Sequence, residues 1–303
     1  MINNQTKING FILSSISLGF NTFACLISCI VFLIIIYHLY YNHVKREDKI
    51  TVVLCAHIYL TILMYSSLLI SMNVQSILGY VATVLLGMLY LNFLNQAFYR
   101  LIRIAYFQSR RFQSLKLYVI LPIIELIIVT PILLCVLIPL NGVTYLPNDH
   151  FCCPRFTNIP SILWAAFVSY MCPLCCISFI YTHITRFIHR QGNIQTLVIK
   201  QRQSRDLLII RRILIIVSLL LILGIPSMVL IITFIITGEE NPLLARISYF
   251  PVSVSQMGLS VALLISIPQL KNIILNLRTT GTVTPVSRVV RGTIQMRTIT
   301  GTQ

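Results

Sequence analysis

The sequence predicts an all-α integral membrane protein, a bundle of seven transmembrane helices with its amino terminus outside and its carboxyl terminus in the cytoplasm. Three observations carry this reading. Of 303 residues, 57% are hydrophobic and 10% charged, against about 25% charged in a soluble domain. The apolar residues gather in windows of about 20 with few charges, the length needed to cross a hydrocarbon layer of about 30 Å. The Lys and Arg residues between those windows fall on alternate sides.

The spans are predicted near 18–41, 50–72, 77–106, 117–140, 160–188, 207–237 and 243–268. Residues 1–17 form a short extracellular amino terminus and 269–303 a cytoplasmic tail. The first run, SISLGFNTFACLISCIVFLIIIYHLYY, exceeds the apolar core of a secretory signal and no small-residue cleavage pattern follows it, so it is read as a helix. The segment joining the second and third spans, NVQS, is very short. In the tail, LKNIILNL after Pro268 has the pattern of a short amphipathic helix over 269–277.

Basic residues are retained on the cytoplasmic side during insertion. The segments after the first, third, fifth and seventh spans, with the end of the third, hold 20 of the 23 Lys and Arg residues. Lys7, Arg155 and Arg246 are the remaining three, on the opposite side. The net charge of +16 therefore reflects topology and attraction to anionic lipid rather than nucleic-acid binding. Asn4-Gln5-Thr6 is an N-glycosylation sequon on the side predicted to be outside. Localisation follows as a multi-pass protein of the cell membrane.

Polar groups inside the spans are the candidate functional residues, because each must find a partner in hydrocarbon. Asn92, Asn95, Gln96 and Tyr99 recur at spacings of three and four, which places them on one helix face turned to the bundle. Arg100 and Arg103 close the same span. Glu125 is the one acid well inside a predicted span, a structural partner for Arg103 or His57 or a functional group in its own right. Seven of the nine cysteines lie in spans and read as small buried hydrophobes. Cys152 and Cys153 are adjacent in the loop after the fourth span; they are free, bonded to each other with strain, or bonded to another chain. No nucleophile and base pair, metal-ligand spacing or cofactor motif appears, and an enzyme is not predicted.

Seven helices, an outside amino terminus, a basic third cytoplasmic loop and a Ser/Thr-bearing tail resemble a rhodopsin-like (class A) G-protein-coupled receptor along nearly the whole chain. In the fifth span, YMCPLCCISFIY sets Pro173 eight residues before Tyr181, the spacing of that family's proline and cytoplasmic tyrosine. In the sixth, LGIP puts Pro226 at the kink proline and Gly224 at the usual tryptophan. In the third, Tyr99-Arg100-Leu101 stands where the family has Asp/Glu-Arg-Tyr, so the arginine lacks its acidic neighbour. The resemblance implies a second restraint at Asp206, 20 residues before Pro226. Asp206 is the only acid between Asp149 and Glu239 and also suits a helix N-terminal cap. In the seventh, aligning Pro268 puts Ile267 and Lys271 at the family's asparagine and tyrosine. His57 occupies the register of its buried aspartate, and with Leu89 and Ile267 offers no carboxylate for a sodium ion. The family's disulfide would need a cysteine near Gln75, and there is none between Cys55 and Cys135.

The resemblance implies a receptor that passes binding of an extracellular ligand to a heterotrimeric G protein by outward movement of the sixth helix, restrained by an Arg100–Asp206 contact. The third span holds no acid, so an aminergic ligand is not expected. Membrane lipid and the G protein are the partners, and no cofactor is called for. The competing readings are a degenerate receptor that folds without signalling, a seven-helix chemosensory channel with its amino terminus inside, and a transporter. A transporter should show repeated halves and several midplane charges, and the sequence shows neither.

Overall fold

The computed structural model describes residues 4–41, 48–71, 76–105, 112, 114–146, 151–154, 158–191 and 244–266, with single helical positions between 218 and 237. The first four spans are the helices α1 (Asn4–Tyr40), α2 (Lys49–Ser71), α3 (Ser76–Ala105) and α4 (Leu115–Leu137). The fifth is α5 (Ile159–Ala166), a π-helical turn (Phe167–Met171) and α6 (Cys172–Gln191) in series, and the seventh is α7 (Leu244–Ser266). Among the described residues five helices are long and apolar enough to cross a membrane, and Phe250–Ile265 adds a shorter apolar stretch. The protein is a multi-pass membrane protein. Asp206, Pro226 and Pro268, with Gly224, Ile267, Lys271 and the tail, lie outside the described residues, as do the side chains of Asn4, Cys152 and Cys153.

Residues 4–17, within the stretch expected as a short extracellular amino terminus, are helical. α1 begins at Asn4, and its apolar stretch runs from Ile8 to Tyr40, 33 residues. At 1.5 Å per residue that is about 50 Å, longer than a bilayer's hydrocarbon core, so the helix tilts or protrudes. Asn9, Ser14 and Ser15 dilute the apolar signal, whereas Phe11, Ile12 and Ile16 keep one outward face greasy.

α3 is the central element: 61% of its best apolar window is buried, against 11% for α4. It touches α2, α4, the π turn and α6, while α1 packs between α2 and α7. The largest apolar cluster joins Ile35 of α1, Val52, Ile58 and Ile62 of α2, Leu89 and Phe93 of α3, Ile177 and Ile184 of α6, and Leu263 of α7. Outside it, Leu33, Ile127, Phe179 and Ile236 are among many exposed large apolar residues. Such a surface is untenable in water and ordinary in lipid. Hydrocarbon solvates these faces as well as a protein interior does, so helix association rests on close packing and interhelical hydrogen bonds.

The lipid setting also corrects the reading of the cysteines. Cys55 is buried, Cys25 and Cys29 are half-buried, and Cys135, Cys172, Cys175 and Cys176 are exposed. A thiol is apolar enough for either environment, so apolarity alone does not tell core from lipid.

Two local devices shape the bundle. Pro173 has no N–H to return to the preceding turn, and the strain is absorbed by the π turn, where the Cys172 N–H reaches the Phe167 carbonyl. Gly87 faces that turn: a Cβ there would lie 3.3 Å from Ser169 Oγ, so glycine permits α3 to approach closely. α4 ends in a left-handed residue, Asn141 (φ 48), and the Gly142 N–H closes back on the Leu137 carbonyl at 2.8 Å. This terminates the helix with its last carbonyls satisfied. Asn158 then ties α4 to α5, donating to the Leu140 carbonyl and accepting from the Ser161 N–H at 3.4 Å.

The loop after α4 is not irregular. Val143–Leu146 and Phe151–Pro154 pair as an antiparallel hairpin, Val143 opposite Pro154 and Leu146 opposite Phe151. Cys152 and Cys153 stand opposite Tyr145 and Thr144, and both strands lie against α3. This two-stranded cap is the one departure from helix among the described residues.

Candidate functional site around Arg100

Arg100 sits near the end of α3 and is 8% exposed. Its guanidinium lies close enough to Tyr181 of α6 and Cys55 of α2 to act on both electrostatically. Tyr181 is 2% exposed, and its hydroxyl has no hydrogen-bond partner among the described residues. Three helices thus converge on one buried cation, which is held among polarisable groups rather than in water.

Tyr99, in the position of the expected acid, does a different job. Its ring meets Tyr118 of α4 edge-on at 5.1 Å. Its hydroxyl hydrogen-bonds with Arg103 and Thr51, near the Asp48 carboxylate that precedes α2. One phenol therefore joins α2, α3 and α4. Arg103, in the last turn of α3, also holds Tyr99. Ile50, Leu54 and Leu121 surround the two rings.

Above Arg100 the polar face of α3 turns inward. Asn92, Asn95 and Gln96 are 1%, 3% and 0% exposed. Asn92 Nδ2 donates to Thr61 Oγ1 at 2.9 Å, and Thr61 in turn donates to the His57 carbonyl at 2.8 Å. Gln96 Nε2 points at Cys55 Sγ, 3.7 Å away. Asn95 Nδ2 donates to Glu125 Oε2 at 2.8 Å, so the partner of the intramembrane acid is Asn95 and not Arg103 or His57. His57 and Glu125 are half-buried, in contrast to the three α3 residues. On α2 it is Cys55, Tyr59 and Ile62 that face the centre, because a helix buries positions three and four apart and His57 falls beside that stripe.

A second polar seam was not singled out from the sequence. Asn21 Nδ2 donates to Ser253 Oγ at 3.2 Å, the Ser17 and Ser253 hydroxyls meet at 2.5 Å, and Tyr59 donates to the Ser260 carbonyl at 2.9 Å. Gln256, 1% exposed, lies on the same face of α7. The signal was present: Ser17, Asn21 and Ser28 on α1, and Ser253, Gln256 and Ser260 on α7, recur at spacings of three, four and seven. These residues lock α7 to α1 and α2.

A central α3 carrying one buried arginine, crossed by interhelical hydrogen bonds and capped by a hairpin, defines a helix bundle that converges polar groups at one end. No family model matches the chain, and no curated protein is similar to it in sequence. The structure is similar to that of squid rhodopsin, with a TM-score of 0.65 and 13% identity over 88% of this chain and 87% of that one. The fold is the seven-helix rhodopsin fold.

Proposed function

We propose that the protein is a rhodopsin-like G-protein-coupled receptor of the cell membrane, with its amino terminus outside. It transmits binding of an extracellular ligand to a heterotrimeric G protein. The observation that carries this reading is Arg100, buried at the end of the central helix beside Tyr181 of the fifth span, in a chain with the rhodopsin fold. In the inactive state Arg100 is restrained by Asp206 at the start of the sixth helix. Ligand binding swings that helix outward about Pro226 and opens a cleft for the G protein, with the basic segment from Arg186 to Arg212 around it. A ligand drives this only as far as its affinity differs between the two states. The third helix offers no carboxylate to an amine ligand from outside, and His57 with Leu89 leaves the centre without an acid for sodium.

A cell-based G-protein activation assay comparing the wild type with Asp206→Ala tests this. Raised basal activity is expected. Activity that stays at the level of untransfected cells for both chains, at matched surface expression, supports the second reading, a receptor that folds and does not signal. That reading is favoured by Tyr99, Gly224, Ile267 and Lys271 at positions where signalling relatives carry other residues.

A further inference from the structure

The loop between the third and fourth spans ends at Ser114, the residue before α4. Its backbone is extended (φ −75, ψ 125), as that of an N-cap is, yet its side chain makes no capping hydrogen bond. Phe112, Ser114, Leu115 and Lys116 are exposed, and burial begins at Tyr118. The first turn of α4 holds Lys116 and no acid, so no side chain there complements the positive end of the helix dipole. Arg110 and Arg111 stand four and three residues ahead of Ser114 in the sequence. Ser114 is the only serine in the chain with an arginine three positions before it, and Thr300 is the only such threonine.

We propose that Ser114 is a phosphorylation site, the substrate of a protein kinase that selects arginine three residues ahead of its acceptor and uses ATP. A hydroxyl left out of its own helix cap, on an exposed and extended backbone, meets what a kinase groove requires, and acids in that groove pair with the arginines ahead of it. Ser114 Oγ attacks the terminal phosphorus of ATP: the Oγ–P bond forms, the bond from that phosphorus to the leaving oxygen of ADP breaks, and the hydroxyl proton goes to the kinase's base. The inference rests on the orientation proposed above, which sets this loop in the cytoplasm, and not on whether the chain signals. The phosphate brings a charge of about −1.5 to −2 and three acceptor oxygens to the start of α4, where an anion is favoured. That turn leads to Tyr118, whose ring meets Tyr99 at 5.1 Å, so firming the turn also firms the hold on Tyr99.

The test incubates the full chain in phosphatidylcholine nanodiscs, open on both faces, with ATP and a calmodulin-dependent protein kinase of this selectivity, and maps phosphopeptides by mass spectrometry. Incorporation at Ser114 is expected to approach completion, at an initial rate at least about tenfold lower in Arg111→Ala. Both residues lie at an exposed helix start or the loop before it, and thermal unfolding verifies that the variant is folded. No phosphate on Ser114, or an equal rate in Arg111→Ala, overturns the assignment. On phosphorylation, hydrogen exchange of the Leu115 and Lys116 amides should slow at least about threefold, and unchanged or faster exchange overturns the proposed effect on α4. The same phosphopeptide is expected from intact cells that make the chain. Its absence from cells in which Asn4 carries a glycan overturns the site, whereas its absence together with an amino terminus found inside overturns the orientation and the site with it.

Discussion

Replacing Thr61 by Val and Asn92 by Leu should have unequal costs, although the two side chains share one hydrogen bond of 2.9 Å. Thr61→Val leaves Asn92 buried with nothing to receive its Nδ2 protons, while its Oδ1 already lacks a partner among the described residues. An amide stranded in this way costs about 1–3 kcal/mol. Asn92→Leu removes the donor and the orphaned carbonyl together. Thr61 remains satisfied by the His57 carbonyl, and leucine keeps the branched four-atom skeleton of asparagine, its two methyls bulkier than the amide atoms. The lost bond is worth about 0.6 kcal/mol on the average for membrane helices, and relief of the orphaned oxygen offsets it. Asn92→Leu should therefore be neutral to within about 1 kcal/mol and Thr61→Val destabilising by about 1–3 kcal/mol. Unfolding free energies from denaturant titration in bicelles measure both. If Asn92→Leu destabilises as much as Thr61→Val, Asn92 Oδ1 has a partner and the bookkeeping is wrong.

Tyr99→Phe keeps the edge-on ring contact with Tyr118 but loses the bonds to Arg103 and Thr51; a loss of about 1 kcal/mol is expected, against about 3–5 kcal/mol for Tyr99→Ala. Equal losses would mean the ring contributes nothing, and no loss in Tyr99→Phe would mean the same of the hydroxyl. At Gly87, alanine should be absorbed by a small shift of Ser169, while valine should destabilise by about 1–3 kcal/mol through overpacking against the π turn; equal thermal stability of the two variants would deny the close approach. Asn4→Gln should remove one glycan and sharpen the band on a gel of protein made in glycosylating cells, and an unchanged mobility after glycosidase treatment of the wild type would place the amino terminus inside or leave the sequon unused.

What the sequence made legible was what lipid enforces. Spans two to five and seven start and end within a few residues of the apolar windows, because a helix crossing hydrocarbon carries little charge in its middle. The inward face of α3 was readable for the same reason: Asn92, Asn95 and Gln96 had nowhere else to go. The start of α1 was hidden by Asn9, Ser14 and Ser15, which a helix carries at its rim without cost. Outward cysteines such as Cys175 were illegible because thiols suit both core and lipid. The hairpin was missed because four-residue strands leave no periodic signal once Asn, Pro and Asp interrupt the loop. Glu125 was visible as an anomaly, but its partner Asn95 came from another helix, and packing decides such pairings. The same holds for Tyr99, which reads as a missing acid in one dimension and as a three-helix tie in the fold.

The central claim is that the side chains of Arg100 and Asp206 meet when the receptor is at rest. Cysteine crosslinking measures this: Arg100→Cys with Asp206→Cys in native membranes, joined by a bifunctional thiol reagent of about the arginine side chain's length, since a bare disulfide needs Cα atoms within about 7 Å, and the linked peptides identified by mass spectrometry. A crosslink between the two introduced cysteines is predicted. Absence of that crosslink, while a control pair at Asn92 and Thr61 is joined by the same reagent, would contradict the account.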